Sequence, residues 1–250
     1  MQDSIKLDLL VLSPHPDDAE LLCGGVLLKA KRAGKKIGVV DLTEGEMGTR
    51  GSIAIRRKEI AAASALIGLD ARENLRLRDG HLIEDAKLLS ALVGVLRKYR
   101  PTWVLAPHWE DQHPDHEALG SAIAHAAFLA GVPKFHPKSG RGVASADGLP
   151  YRPRQVWHYN NRYGIAADLV VDISDVFEQK MELARCYASQ FGPGNSSVKK
   201  KAEPQTRLSH GHFEEWLRGM HAFYGQQIGV RYGEAYCVKG PLRVDGEWLF

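Results

Sequence analysis

The sequence predicts an α/β fold, a Rossmann-like, mostly parallel sheet flanked by helices, with a less regular C-terminal portion. Three observations predict it. Short apolar runs alternate with longer amphipathic segments through the first half of the 250-residue chain, and strands that alternate with helices pair in parallel through right-handed crossovers. The composition, 44% hydrophobic and 25% charged, is that of a soluble globular protein with a real core. Side chains that carry chemistry gather at the ends of two of the strands, where open α/β sheets bind their ligands.

Taken in order, Asp8–Ser13 (DLLVLS) reads as a buried strand and about Glu20–Ala33 as a helix ending before Gly34. Lys36–Asp41 is a second strand. Ile53–Ile67 sets Arg56, Arg57, Lys58 and Glu59 beside Ala, Ile and Leu at helical spacing and stops at Gly68. Asn74–Leu77 is a short third strand. Glu84–Tyr99 is a helix with Leu88, Leu89, Leu92, Val95 and Leu96 on one face, ended by Arg100-Pro101, and Thr102–Ala106 is a fourth strand. Beyond it Glu117–Ala130 reads as helix, Pro133–Pro153 as a long Gly/Pro/Ser-rich loop, and Gln155–Tyr159 and Leu169–Asp172 as strands. A helix over about Val176–Tyr187 precedes "SQFGPGNSSVKKKAEPQT", which reads as a flap. His212–Gln227 is the last long helix, and "GEAYCVKGPLRV" combines a strand with a peripheral hook. With neither an internal repeat nor a linker, residues 1–250 are expected to form a single domain.

A net charge of +3 is too mild to indicate a nucleic-acid partner. The cysteines, Cys23, Cys186 and Cys237, are odd in number and far apart, which is no disulfide framework and fits a reducing cytoplasm. The N-terminal apolar run is too short for a signal peptide or a membrane span, so no membrane association is expected.

The first strand runs into His15-Pro16-Asp17-Asp18, and the fourth into "PHWEDQHPDHE", with His108, Glu110, Asp111, His113, Asp115, His116 and Glu117. Both contain a His-Pro-Asp step. A catalytic zinc takes three N/O/S ligands and keeps one position open for water. His15 and Asp18 are three apart across a turn entering a helix, so both can face one point, and His116 supplies a third ligand. Asp17 is then left free beside the water that the metal activates, where a general base belongs. His113 stands opposite, with Asp115 available to hold its ring and favour its protonated form. Such a set hydrolyses an acyl group. The plainer alternative is a solvated turn in which Asp17 or Asp18 caps the following helix, and two such clusters at adjoining strand ends weigh against it. His108 reads as a supporting residue. His81, His125, His136, His210, His212 and His221 read as surface or locally bonded histidines.

Two histidines and a carboxylate also form the facial triad of non-haem Fe(II) oxygenases, but the βαβα pattern and the extra carboxylate and histidine favour hydrolysis. The ligand set accommodates Zn²⁺ or Fe²⁺. A dinucleotide site is disfavoured, because carboxylates stand where pyrophosphate requires glycines. Gly24-Gly25 come too late for that role and read as a place of close helix packing on the sheet.

"PHPDDAE", "DLTEGEMGTRG" and "HPDH" together resemble the LmbE-like, or PIG-L-type, zinc N-deacetylases, which remove acetyl from N-acetylglucosamine (GlcNAc) conjugates. Within that family "GEMGTRG", Arg56, "SQF" at Ser189–Phe191, "EPQT" and "YGEAY" resemble the bacillithiol-biosynthesis deacetylases of the BshB type over nearly the whole chain. Pro14 before His15 and Ala19 before Glu20 depart from the usual family motif, and Gln112 stands where some relatives carry arginine. The resemblance implies His15, Asp18 and His116 as metal ligands, Asp17 as general base, His113 as the histidine that stabilises the tetrahedral intermediate, and Asp115 as its orienting partner. It implies that Arg56 holds sugar hydroxyls. It also implies N-acetylglucosaminyl malate as substrate, with a carboxylate aglycone for which Arg50 is placed; an exposed loop charge is the equal alternative for Arg50. Glu44 and Glu46 could accept bonds from sugar hydroxyls or be solvated, and Lys199-Lys200-Lys201 could steer an acidic substrate. Rival substrates are a mycothiol-type precursor, a chitooligosaccharide or an antibiotic's sugar. The rival class is a metal- or sugar-binding module without turnover. Relatives often assemble, so a homo-oligomer is compatible.

Overall fold

Strand β1 (Leu9–Ser13) is buried at all five positions, and the alternation of its side chains explains why. Leu9 and Val11 join one hydrophobic cluster, Leu10 and Leu12 another, so the strand is covered on both faces. In the computed structural model, which describes residues 5–137, 149–160, 165–191, 206, 208–209 and 212–242, β1 lies inside a seven-stranded sheet. The other strands are β2 (Ile37–Thr43), β3 (Ala71–Leu77), β4 (Trp103–Pro107), β5 (Gln155–Tyr159), β6 (Leu169–Asp172) and β7 (Gly233–Val238), in the order β3-β2-β1-β4-β5-β7-β6. The first five pair in parallel, and β7 runs antiparallel to both of its neighbours. The sheet is therefore mixed and mostly parallel, as the alternation of elements predicts.

One face carries α1 (Asp18–Arg32), the buried side of α2 (Ile53–Ile67), α5 (Phe177–Cys186) and α7 (Phe213–Gln227); the other carries α3 (Ala86–Tyr99) and α4 (Pro114–Ala130). A short turn of helix, α6 (Ala188–Phe191), follows α5. The ends of these helices are written in the sequence. Ser52 Oγ accepts the Ile55 N–H at the start of α2, Gly68 closes it in the left-handed conformation, and Asp85 caps α3 through the Lys87 and Leu88 amides.

Several boundaries differ from the sequence reading by one to three residues, and three of them bear on the site. Strand β3 begins at Ala71, because its polar start is edge strand whose Arg72 reaches into a buried ion cluster with Asp41 and Glu20. Helix α4 begins at Pro114 instead of Glu117, so HPDH is a capped helix start with proline at its first position. Helix α1 begins at Asp18. Gly24 and Gly25 do mark a close approach of α1, to the sheet at β7 and Ile173 and also to α5. A Cβ on Gly25 would stand 2.6 Å from Ile173 Cγ2 and 2.9 Å from Glu234 Oε1, and one on Gly24 3.2 Å from Leu183. Most of the Pro133–Pro153 loop and of the predicted flap, including Lys199-Lys200-Lys201, lies outside the described residues.

Because β1 is flanked by β2 on one side and β4 on the other, the chain changes direction across the sheet between them. The loops after β1 and β4 therefore leave the sheet side by side at a topological switch point, the place where open α/β sheets bind ligands.

Candidate metal centre and active site

The β1 loop is held at both ends. Ser13 Oγ donates to the His15 carbonyl at 2.5 Å, and the Pro14 carbonyl accepts the Thr43 amide (3.1 Å) and hydroxyl (2.9 Å) at the end of β2. Asp17 then takes φ 125°, a conformation that L residues rarely adopt. It occupies the N-cap position of α1, yet its side chain makes no cap hydrogen bond. The capping alternative therefore does not describe Asp17. Asp18 Oδ2 instead accepts the His15 amide at 3.0 Å.

That same Oδ2 stands 3.4 Å from His15 Nδ1 and 3.2 Å from His116 Nε2, so the three residues singled out as metal ligands converge from both sides of the switch point. The far nitrogen of His15 is hydrogen-bonded, whereas that of His116 has a carboxylate nearby and no hydrogen bond. His116 Nδ1 faces Asp111 Oδ2 at 3.5 Å, and His15 Nε2 lies 3.0 Å from Asp79 Oδ1 and 3.2 Å from Asp115 Oδ2. An imidazole held by carboxylates on the side away from a shared point, as His15 is, is the arrangement found behind metal ligands.

The charges fit a cation at that point. Burial would lower the His15 pKa, but Asp115, Asp18 and Asp79 together hold it up at about 12. Burial likewise opposes protonation of His116, and Asp18 and Asp111 outweigh it to about 9. Asp18, whose burial would raise it, is pushed well below the carboxylate range by the two imidazoles. The centre thus gathers more carboxylate than fixed cation, and both rings hold protons that a divalent ion would replace. Two donor sets among the described residues bring their atoms within 4.8 Å of one another, His15–His113–His116 and His15–Asp79–Asp115; the expected set with Asp18 is not one of them.

His113 caps α4, its Nδ1 accepting the Asp115 amide at 3.2 Å, and its ring centroid is 4.6 Å from that of His15. Two expectations need correction here. The Asp115 carboxylate does not hold His113; it faces His15 and accepts the Gly80 (2.8 Å) and Leu82 (3.0 Å) amides. Nor is His113 favoured as a cation, because desolvation and the neighbouring His15 and His116 lower its pKa.

Asp17 is buried, and burial, ahead of the opposing effect of Arg56, raises its pKa to about 8. Arg56, also buried, places Nη1 2.6 Å from the Pro16 carbonyl and 3.3 Å from Asp17 Oδ2. Arg50 is buried too, so an exposed loop charge is not its role; its carbonyl accepts Gln190 Nε2 at 3.0 Å. Glu44 pairs with the exposed Arg57 at 2.7 Å. His108 is buried, its Nδ1 accepting the Glu110 amide, and stacks on Trp109.

Asp79 was missed by the sequence reading. It stands two residues beyond β3, accepts the Met47 amide at 2.9 Å and approaches His15. "RDGH", at the carboxyl end of a third parallel strand, was the available signal.

A mostly parallel sheet with paired histidines and carboxylates at its switch point is an α/β fold with a site that could hold a metal ion. Residues 10–127 match the PIG-L family, described as GlcNAc-PI de-N-acetylase. The chain is 32% identical over 236 residues to a diacetylchitobiose deacetylase of Thermococcus kodakarensis, covering 90% of this chain and 80% of that protein. It is 28% identical to a probable N-acetyl-alpha-D-glucosaminyl L-malate deacetylase 2 of Bacillus anthracis, over 78% of this chain and 86% of that one. Among solved structures, the conserved protein TT1542 of Thermus thermophilus superposes with a TM-score of 0.81 at 35% identity, covering 96% of this chain and 98% of the other. The chain belongs to the PIG-L family of N-deacetylases.

Proposed function

We propose that the protein hydrolyses the N-acetyl group of a GlcNAc conjugate, with His15, Asp18 and His116 holding a zinc ion, and Fe²⁺ as the alternative metal. The observation that carries this reading is the divergence of two consecutive aspartates. Asp18 turns toward both imidazoles, while the strained backbone at Asp17 keeps its buried carboxylate out of the cap and on Arg56, within reach of the charges of His15 and Asp18. When bound, the ion would supply Lewis acidity, polarising the acetyl carbonyl and lowering the pKa of water. Asp17 takes the proton from the water as its oxygen adds to the acetyl carbon, and returns it to the nitrogen as the C–N bond breaks, giving acetate and a free amine. With Nδ1 of His113 accepting the Asp115 amide, that ring carries its hydrogen on Nε2 and donates it to the developing oxyanion as a neutral group. Asp115 and Asp79 hold His15 in place through its Nε2.

The finer reading is N-acetylglucosaminyl malate, supported by the "GEMGTRG" loop with Arg56 and by the Bacillus anthracis relative. A chitooligosaccharide is the second reading, favoured by the longer match to the diacetylchitobiose deacetylase. Primary-amine release from N-acetylglucosaminyl malate, diacetylchitobiose, GlcNAc-inositol and free GlcNAc separates them. Preference for the malate conjugate supports the first and preference for the disaccharide the second. Stoichiometric zinc with no amine from any of the four would refute hydrolysis and leave a binding module.

A further inference from the structure

Two sequence motifs, the glycine-rich "GEMGTRG" and "SQF", enter none of the bond-making steps above, yet they pack on each other, the first lining Arg56 and the second holding Glu59. Arg56 is enclosed on several sides. Gly45 adopts φ 66°, and a Cβ there would stand 3.3 Å from Arg56 Nη1, while one on Gly48 would be at ordinary van der Waals distance from Nη2, so the loop closes over the guanidinium. Nη1 is spent on the Pro16 carbonyl and Asp17. On the remaining side, one helical turn along α2, Glu59 Oε2 lies 3.9 Å from Nε.

Glu59 is itself buried and fixed from elsewhere. Its two oxygens accept the Ser189 amide and the Ser189 hydroxyl, each at 2.7 Å. Gln190 Nε2 bridges the Ser189 hydroxyl and the Arg50 carbonyl of the glycine-rich loop, each at 3.0 Å. A Cβ on Gly51 would collide with Ser189 at 2.9 Å, which seats the loop directly on this turn. A carboxylate held by two short charge-assisted hydrogen bonds has one orientation, and it presents its second oxygen to Arg56.

We propose that Glu59 is a positioning residue for the deacetylation, holding the Arg56 guanidinium against Asp17 while Ser189 holds Glu59. The line Ser189–Glu59–Arg56–Asp17 makes α6 part of the machinery, although it touches no reacting atom. The proposal rests on Asp17 acting as the base, because only then does the placement of Arg56 reach turnover.

The test uses the zinc-loaded full-length protein with Glu59→Gln, Glu59→Asp, Ser189→Ala and the Glu59→Gln/Ser189→Ala double variant. Kinetics are measured on whichever conjugate the wild type deacetylates, alongside zinc content, melting temperature and a crystal structure of Glu59→Gln. A misplaced catalytic neighbour acts on turnover, so kcat of Glu59→Gln should fall roughly 10- to 100-fold with KM nearly unchanged and zinc retained. Glu59→Asp should recover part of the loss, and Ser189→Ala should fall less. The double variant should be no slower than Glu59→Gln, because both act through one contact. In the Glu59→Gln crystals Arg56 should have left Asp17. Unchanged kcat, additive losses, or Arg56 still at 3.3 Å from Asp17 would overturn the proposal. Should Glu59→Gln fail to fold, Ser189→Ala decides on the same readouts. Should the wild type release no amine, the proposed function fails instead, and the position of Arg56 in the variant crystals still judges the contact.

Discussion

Asp17 and Asp18 share a peptide bond and divide two tasks, so their substitutions should separate cleanly. Asp17→Asn keeps the shape and the ligand set. It should retain stoichiometric zinc by elemental analysis while kcat falls by roughly 10²–10⁴, the range for loss of a positioned general base. Near-normal kcat would remove Asp17 from that role. His116→Ala should instead lose the metal, and a variant that keeps it would remove His116 from the ligand set. Asp79→Asn weakens the carboxylate pair on His15 Nε2 and should lower zinc affinity about 10- to 100-fold in competition with a chelator. The contrast among these residues also shows what was legible. His15, Asp18 and His116 could be read because a turn and a helix start fix their spacing within a few residues. Asp79 carries a weaker signal, since a lone acid after a polar edge strand acquires meaning only when β2 and β1 lie between it and β4. The partner of Asp115 was misread because chain proximity favoured His113, whereas the fold brings His15, a hundred residues away in sequence, to 3.2 Å.

Among the elements, α1 shows how the site is held from behind. Glu234 on β7 accepts the Gly25 (2.7 Å) and Val26 (2.8 Å) amides and the Tyr236 hydroxyl (3.0 Å), and pairs with Lys180 of α5; both charged residues are 0% exposed. This cluster fixes α1 against the C-terminal strand two turns beyond Asp18. Lys180→Met leaves Glu234 buried without its cation and should destabilise by about 3–5 kcal/mol in urea unfolding. Adding Glu234→Gln should recover part of that, because no uncompensated charge then remains. If Lys180→Met is as stable as wild type, the pair has no structural role. Gly25→Ala drives a methyl into Ile173 and Glu234 and should lose about 1–3 kcal/mol. Elements with clear local signals were readable from sequence, and the spans of α2, β5 and β6 coincide with the sequence reading. Strand β3 and the start of α4 were not, because each begins with residues whose charge or imidazole is satisfied by a distant segment.

At the scale of the whole molecule, the sheet is completed only when β7, from the far end of the chain, enters between β5 and β6. The strand at that junction, β5, carries a histidine whose burial ties stability to pH. His158 is 1% exposed, with Nδ1 2.7 Å from the Pro107 carbonyl on β4. Burial is the main cause that lowers its pKa to about 4 from an ordinary value of 6.5, and the charges of Lys239 and His108 act in the same direction. The sign follows from proton counting. Between pH 6.5 and about 4 the unfolded chain protonates this ring and the native protein does not, so acidification through that window favours unfolding. The full shift corresponds to at most about 3 kcal/mol, complete once the pH falls below the native pKa. His158→Gln removes the titration and retains an amide that can donate to Pro107. Its urea midpoint should therefore fall less than that of wild type between pH 7 and pH 4.5, with the difference between the two proteins cancelling every other group that titrates in the range. Parallel pH profiles for the two proteins would show that β5 tolerates a charged His158 and that the acid sensitivity of the sheet lies elsewhere.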